Sequence, residues 1–277
     1  MSISNKELLK LLKLKEAKPF GDSTIKFDSV IFESLVVGTK RSEESPKIII
    51  LCGPSGSGKS TLKQLLLKQY SVTNYINIDP DDIRTTLTLN GVNFDEEDPK
   101  IMSGITNKFN SRMLEYASSN KYNIIFDTTG QNFRAVYDTI LATDNYYKVF
   151  VGIYASKQNC LERVQKRNDI IQQTNNPRKL LPISIAENIY NGFTRPKGTL
   201  SNYLIDYPIL VNETLLYNND VANDIKPDLL YHKIDDDIKV SNPFMGFYNL
   251  TINATEPHIT KTIQGGRKKK NKTRKKI

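Results

Sequence analysis

A chain of 277 residues, 38% hydrophobic and 25% charged, has room for one α/β domain with appendages or for two small domains. No stretch approaches the roughly 20 apolar residues of a membrane span. With only Cys52, Cys160, His232 and His258 available, a disulfide framework and a zinc cluster are excluded, and both cysteines are expected to be reduced and structural. The formal charge of +9 belongs to one end: Arg267 to Ile277 hold eight basic residues and no acid, which leaves +1 for the other 266 residues.

In chain order, the leucines at 8, 9, 11, 12 and 14 are interrupted by Glu7, Lys10, Lys13 and Lys15, which predicts a short amphipathic helix rather than a secretory signal, and an intracellular protein. Residues 1–46 read as an N-terminal extension ending in the polar run TKRSEESP. From Lys47 apolar runs alternate with helical stretches, the pattern of βαβ units in a mostly parallel sheet sandwiched by helices. The runs are KIIILC (47–52), YINI (75–78), YNIIFD (122–127) and YKVFVGIY (147–154). Leu62, Leu65 and Leu66 follow the first run at helical spacing, and Phe109, Met113 and Tyr116 precede the third. Beyond about residue 200 the pattern loosens around Pro208, Pro227, Pro243 and Pro257, which predicts a last sheet strand and then a small irregular elaboration over 221–264. The end, GGRKKKNKTRKKI (265–277), buries nothing and repels itself, so disorder is expected.

The chemistry starts at GPSGSGKST, residues 53–61, which matches G-x-x-x-x-G-K-S with Gly53, Gly58, Lys59 and Ser60 at the fixed positions. An apolar strand delivers the chain to this loop and a helix leaves it, so Gly53, Pro54, Ser55, Gly56, Ser57, Gly58, Lys59, Ser60 and Thr61 are expected to cradle the phosphates, with the helix's N-terminal amides and positive end facing them. Glycines there let the backbone wrap the phosphates. Lys59 is expected to reach β and γ oxygens and Ser60 to ligate Mg²⁺. This makes the fold class a P-loop NTPase, α/β, a class that serves GTP switches, mechanical ATPases and small kinases.

Two further segments choose among P-loop functions. The third run ends in Asp127-Thr128-Thr129-Gly130, where a carboxylate at a strand end can hold the water shell of Mg²⁺. No guanine-reading N-K-x-D segment follows it, and Thr128 stands where a remodelling ATPase would carry a water-activating Glu. Hydrolysis is disfavoured relative to transfer. In YINIDPDDIR the acids Asp79, Asp81 and Asp82 and the cation Arg84 follow a strand expected to lie beside the P-loop strand, at the sheet edge where ligands bind. One of these acids is expected to cap the next helix. Another can accept the proton of an attacking hydroxyl, with Arg84 holding an anionic group of the acceptor. After the fourth run, Arg163 and Arg167 share a helix face and Arg178 follows a polar loop, an arrangement suited to a lid that neutralises the migrating phosphoryl group.

With these residues assembled, the segment 47–220 resembles the zeta-toxin family of P-loop kinases and their relatives, the polynucleotide 5′-hydroxyl kinases. The likeness runs through GPSGSGKST, INIDPDDIR, NSRMLEYASSNKYN leading into IIFDTTG, the KRN at 166–168 and LLYNND at 215–220; Leu181-Pro182-Ile183 adds a polynucleotide-kinase element. By position, the resemblance implies Asp81 as the base, Arg84 as an acceptor contact, Lys59 and Ser60 as the ATP and Mg²⁺ site, and Arg167 as a lid arginine. The second lid cation is Arg178 or Lys179, and Asp127 with Thr128 is open to a metal or an acceptor role. The implied acceptor is a UDP-N-acetylamino sugar for zeta toxins and a nucleic-acid 5′ end for polynucleotide kinases.

Three functions follow as expectations: a small-molecule kinase, a polynucleotide kinase, and a non-catalytic ATP-binding protein delivered by its tail. The tail at 267–277 can neutralise phosphates; eight charges engaged on duplex DNA would give a log–log salt slope near about −7. The same run suits nuclear import, and similar Gly-Gly-basic ends occur on proteins of large DNA viruses.

Overall fold

The computed structural model describes residues 27–38, 45–92, 99–174, 180–195, 197–206, 210–220, 226–235 and 237–241. The leucine-rich start, Arg178, Lys179 and the basic tail lie outside the described residues. Eight strands form one sheet in the order β1-β3-β4-β2-β5-β6-β7-β8, with β1 at Val36–Val37, β2 at Lys47–Cys52, β3 at Tyr75–Ile78, β4 at Ile124–Thr128, β5 at Tyr147–Tyr154, β6 at Glu213–Asn218, β7 at Asp228–Ile234 and β8 at Asp237–Val240. The five strands from β3 to β6 pair in parallel, and β1, β7 and β8 add antiparallel edges.

The central strands are apolar without alternation because both of their faces are covered. Ile48, Ile50 and Cys52 of β2 face one core, together with Phe126 of β4 and Phe150 of β5. That core also takes residues from α1 (Phe27–Leu35), α3 (Pro80–Leu89), α4 (Pro99–Ser119) and α5 (Phe133–Leu141). Ile49 and Leu51 face the other core, against Leu62, Leu66 and Leu67 of α2 (Lys59–Gln69). Helices α6 (Lys157–Thr174) and α7 (Ile183–Thr194) follow β5, and a short helical turn at Thr199–Ser201 leads towards β6. The fold is the expected P-loop α/β sandwich. Among the described residues no helix is long and apolar enough to cross a membrane.

One expectation is overturned. The YINI strand does not lie beside the P-loop strand; β4 pairs with both, Ile124 opposite Ile48 on one side and Ile76 on the other. Both runs are mainly apolar, each with a polar residue in it (Asn77; Asn123 and Asp127), so their composition did not say which one took the central place. The consequence is functional: Asp127 on β4, rather than the acids after β3, stands next to the P-loop. At the near end, Ile31 and Leu35 of α1 are fully buried in the first core and β1 pairs with β3, so residues 27–37 pack on the sheet.

Candidate active site

The loop between β2 and α2 is shaped by what lies beneath it. Gly56 and Gly58 have φ of 83° and 92°, a region that side chains strain to enter. Space is as tight as conformation: a Cβ on Gly56 would come within 2.2 Å of the Cys160 carbonyl, and one on Gly58 within 2.0 Å of the Asn219 side-chain amide. The sequence reading explained these glycines by the phosphates alone; here the protein's own packing demands them. Among the described residues the amides of Ser55, Gly56, Gly58, Lys59 and Ser60 have no backbone acceptor, while Ser57 N–H closes a turn on Pro54 O at 3.1 Å. Gly58 offers no side-chain cap to α2, and the buried Ser57 hydroxyl lacks a partner. A concave run of unpaired donors at a helix start fits a polyphosphate.

Lys59 Nζ donates to Gly53 O at 2.8 Å and Pro54 O at 3.4 Å, and stands 3.8 Å from Asp127 Oδ1. Gly53 N–H donates to Thr128 O at 3.3 Å, which ties the start of the loop to the end of β4. Burial pushes the Asp127 carboxyl above the usual carboxylate range, Lys59 and Lys63 pull it back, and Asp81 and Asp82 push it up again. The Ser60 hydroxyl and this carboxylate make a sparse oxygen set, which suits Mg²⁺, an ion that keeps several waters and takes its other ligands from phosphates. Among the described residues no cluster of three or more His, Cys, Asp or Glu could hold a metal by itself.

The acids after β3 divide their roles by geometry. Asp79 is the helix cap, in extended backbone with its side chain accepting Asp81 N–H at 2.8 Å. Asp81 pairs with Arg84 at 2.9 Å, with 54% of its side chain exposed. Asp82 accepts from Asn77 Nδ2 at 3.1 Å, and Asn77 Oδ1 accepts from Lys63 at 3.2 Å, so a chain of contacts joins α2 to the acidic turn. Lys63 and Asn77 were not singled out from sequence; their only signal was a cation one helical turn after Lys59 and a polar residue inside an apolar strand. Asp79 is pushed up to about 7, first by burial and then by the charges of Asp127, Asp81 and Asp82. Its folded value exceeds its ordinary one of 3.8, so ionised Asp79 costs stability, and that cost grows as pH rises from about 4 to about 7. Asp79→Asn keeps the cap and removes the charge. At pH 8 it is expected to stabilise the protein by roughly 2 kcal/mol for this half-buried group, a Tm gain of roughly 5 °C. The gain should vanish near pH 4 in thermal melts run at both pH values.

The arginines separate. Arg163 is not on a lid face with Arg167: its guanidinium donates to Gly56 O at 3.2 Å and Asn219 O at 3.1 Å, beneath the loop. Four residues on, the half-buried Arg167 makes no hydrogen bond or ion pair among the described residues. Asn168, the last residue of KRN, is buried and exchanges two hydrogen bonds with the Leu181 backbone, its Nδ2 donating at 2.8 Å and its Oδ1 accepting at 3.1 Å. Cys52 and Cys160 are free and buried, as expected for structural thiols.

A sequence model described as Zeta toxin matches residues 34–221. The chain belongs to the zeta toxin family. The zeta toxin match begins inside α1 and so takes in the edge strand β1 as well as the P-loop, the acidic turn and β6. No curated protein matches the sequence. Among solved structures, one of the PezAT chromosomal toxin–antitoxin system of Streptococcus pneumoniae is similar with a TM-score of 0.57 at 17% identity, over 88% of this chain and 94% of that one. The native AvrRxo1-ORF1:-ORF2 complex gives 0.55 at 17%, over 91% and 73%. An AvrRxo1-ORF1:-ORF2 structure with ATP gives 0.53 at 15%, over 89% and 70%. At such identities the likeness is one of fold, here the P-loop kinase fold of the zeta toxin family.

Proposed function

We propose that this zeta toxin family member is an ATP-dependent kinase that transfers the γ-phosphoryl group to a hydroxyl, with a UDP-N-acetylamino sugar as the acceptor that the family resemblance favours. The observation that carries the reading is the convergence of a donor-lined loop, Lys59 and a buried Asp127 with the acids Asp79, Asp81 and Asp82 at one edge of the sheet. Transfer is supported by the half-exposed Asp81 carboxylate on that acidic turn, which an acceptor hydroxyl can reach and which can take its proton. In this reading residues 53–61 bind the phosphates and Asp81 takes the proton of the attacking hydroxyl. Arg84, Thr128 and Asp127 face the acceptor, and Arg167 with Arg178 offsets the charge that gathers on the moving group. Ser60 and Asp127 would hold Mg²⁺, which when bound neutralises charge on the β and γ oxygens. The fold likeness to an AvrRxo1-ORF1:-ORF2 structure that contains ATP supports the choice of nucleotide.

The test incubates the full chain with γ-labelled ATP and Mg²⁺ against UDP-N-acetylglucosamine, a 5′-hydroxyl oligonucleotide and buffer. Label on the sugar nucleotide is expected, and removal of residues 265–277 should leave it unchanged. Label on the oligonucleotide instead, with salt-sensitive affinity that falls when the tail is removed, would make the chain a polynucleotide kinase. ATP binding with no labelled product in any arm would sink the kinase reading.

A further inference from the structure

Two residues outside the proposed chemistry hold the P-loop from below. The guanidinium of Arg163, on α6, spans two carbonyls, Gly56 O at 3.2 Å and Asn219 O at 3.1 Å. Asn219, just past β6, donates its side-chain amide to Ser57 O at 2.8 Å and its backbone N–H to Tyr154 O at 2.7 Å. It is buried, as is Ser57. The neighbouring Asp220 fastens the start of α6 by accepting from Ser156 N at 3.1 Å, Ser156 Oγ at 2.9 Å and the Asn159 side-chain amide. Burial works against the ionised Asp220, yet the donations from Asn159 and Ser156 hold its carboxyl below the usual range.

The geometry has a direct consequence for phosphate binding. In a planar trans peptide the C=O and the next residue's N–H point in opposite directions. Pulling Ser57 O down onto Asn219 therefore aims Gly58 N–H, one of the unpaired donors, away from Asn219. Pulling Gly56 O onto Arg163 likewise fixes the peptide whose N–H, on Ser57, closes the turn with Pro54. Without these anchors the Ser57–Gly58 plane loses its only fixed carbonyl contact among the described residues and the Gly56–Ser57 plane keeps only the Pro54 turn, so ATP would have to order the loop more on binding.

We infer that Arg163 and Asn219 form a clamp that sets the P-loop peptide planes for polyphosphate binding, which makes both of them positioning residues for transfer and gives the LLYNND segment a role. The clamp rests on the phosphotransferase reading and deepens it. The test uses two variants that keep the net charge they replace: Asn219→Ala, which removes the donation to Ser57 O, and Arg163→Lys, which cannot span both carbonyls. Calorimetry measures Mg-ATP and inorganic tripolyphosphate binding to the full chain, and steady-state assays measure KM for the acceptor. Both variants are expected to weaken ATP and tripolyphosphate alike, by about tenfold, with the acceptor KM unchanged and thermal melts still cooperative. Loss of ATP affinity with tripolyphosphate binding intact would mean that these residues serve the rest of the nucleotide, and the clamp would be wrong. It would equally be wrong if both affinities matched the parent's. If Asn219→Ala does not fold, Arg163→Lys decides by the same criteria. A parent chain that binds neither ligand overturns the kinase reading itself, an outcome distinct from parent-like variants.

Discussion

Lys59→Met is expected to lower turnover by roughly a thousandfold, the scale on which a single preorganised charge stabiliser acts in transfer reactions. Its ammonium is held at 2.8 Å from Gly53 O and 3.8 Å from Asp127 Oδ1, so it is already aimed along the loop before any reaction begins. Methionine keeps the aliphatic length and removes the charge. The loss then falls on two groups: the phosphoryl oxygens, which lose their cation, and Asp127, which is buried and whose carboxyl Lys59 pulls down. Freed of that pull, the carboxyl moves further up and can take a proton, which limits the damage to folding because a neutral buried acid costs far less than an unpaired charge. Activity and stability should therefore separate, with transfer of label from ATP all but gone and the melting temperature changed by only a few degrees. A Lys59→Met protein that keeps a tenth of the parent's turnover would remove Lys59 from the mechanism.

The parts of this molecule that were legible in its sequence are those specified by local chemistry. The four runs at 47–52, 75–78, 122–127 and 147–154 announced strands because parallel strands covered on both faces must be apolar throughout, and the nine residues GPSGSGKST announced a phosphate loop because few other backbones need that spacing. What stayed hidden depended on distance along the chain or on choosing among identical residues. The clamp joins Gly56 to Arg163 across 107 positions and Ser57 to Asn219 across 162, and nothing local to any of these residues reports the meeting. Strand order failed for the same reason: β3 and β4 are both mainly apolar, and only the packed sheet assigns the place beside the P-loop. Among Asp79, Asp81 and Asp82, each a good helix cap, backbone geometry alone makes Asp79 the cap and leaves Asp81 to Arg84. Residues 27–37 hid in another way, because among the described side chains of α1 Ile31 and Leu35 alone go fully into the core, a weak pattern.

That division of the acids leads to the second large effect. Asp81→Asn is expected to cut transfer by about 10²–10⁴, the range for loss of a positioned general base, while the KM for ATP stays within about twofold. The substitution is close to isosteric. Its side chain can still accept from Arg84, now 2.9 Å away, and its backbone N–H still serves the Asp79 cap, so α3 begins where it did. What disappears is a carboxylate that is half exposed, and therefore reachable by an acceptor, yet near enough to Asp127 for the two charges to act on each other. Asp82→Asn is the control on the same turn: Asp82 is tied to Asn77, and its replacement should weaken the contact chain to Lys63 without removing the base. The pair of variants thus distinguishes proton transfer from mere loss of negative charge at the sheet edge, since both remove one charge and only one removes the acceptor of the proton. Full activity in Asp81→Asn would pass the role to Asp79, whose carboxyl already stands at about 7, and the kcat profile of Asp79→Asn would then lose its inflection near that pH.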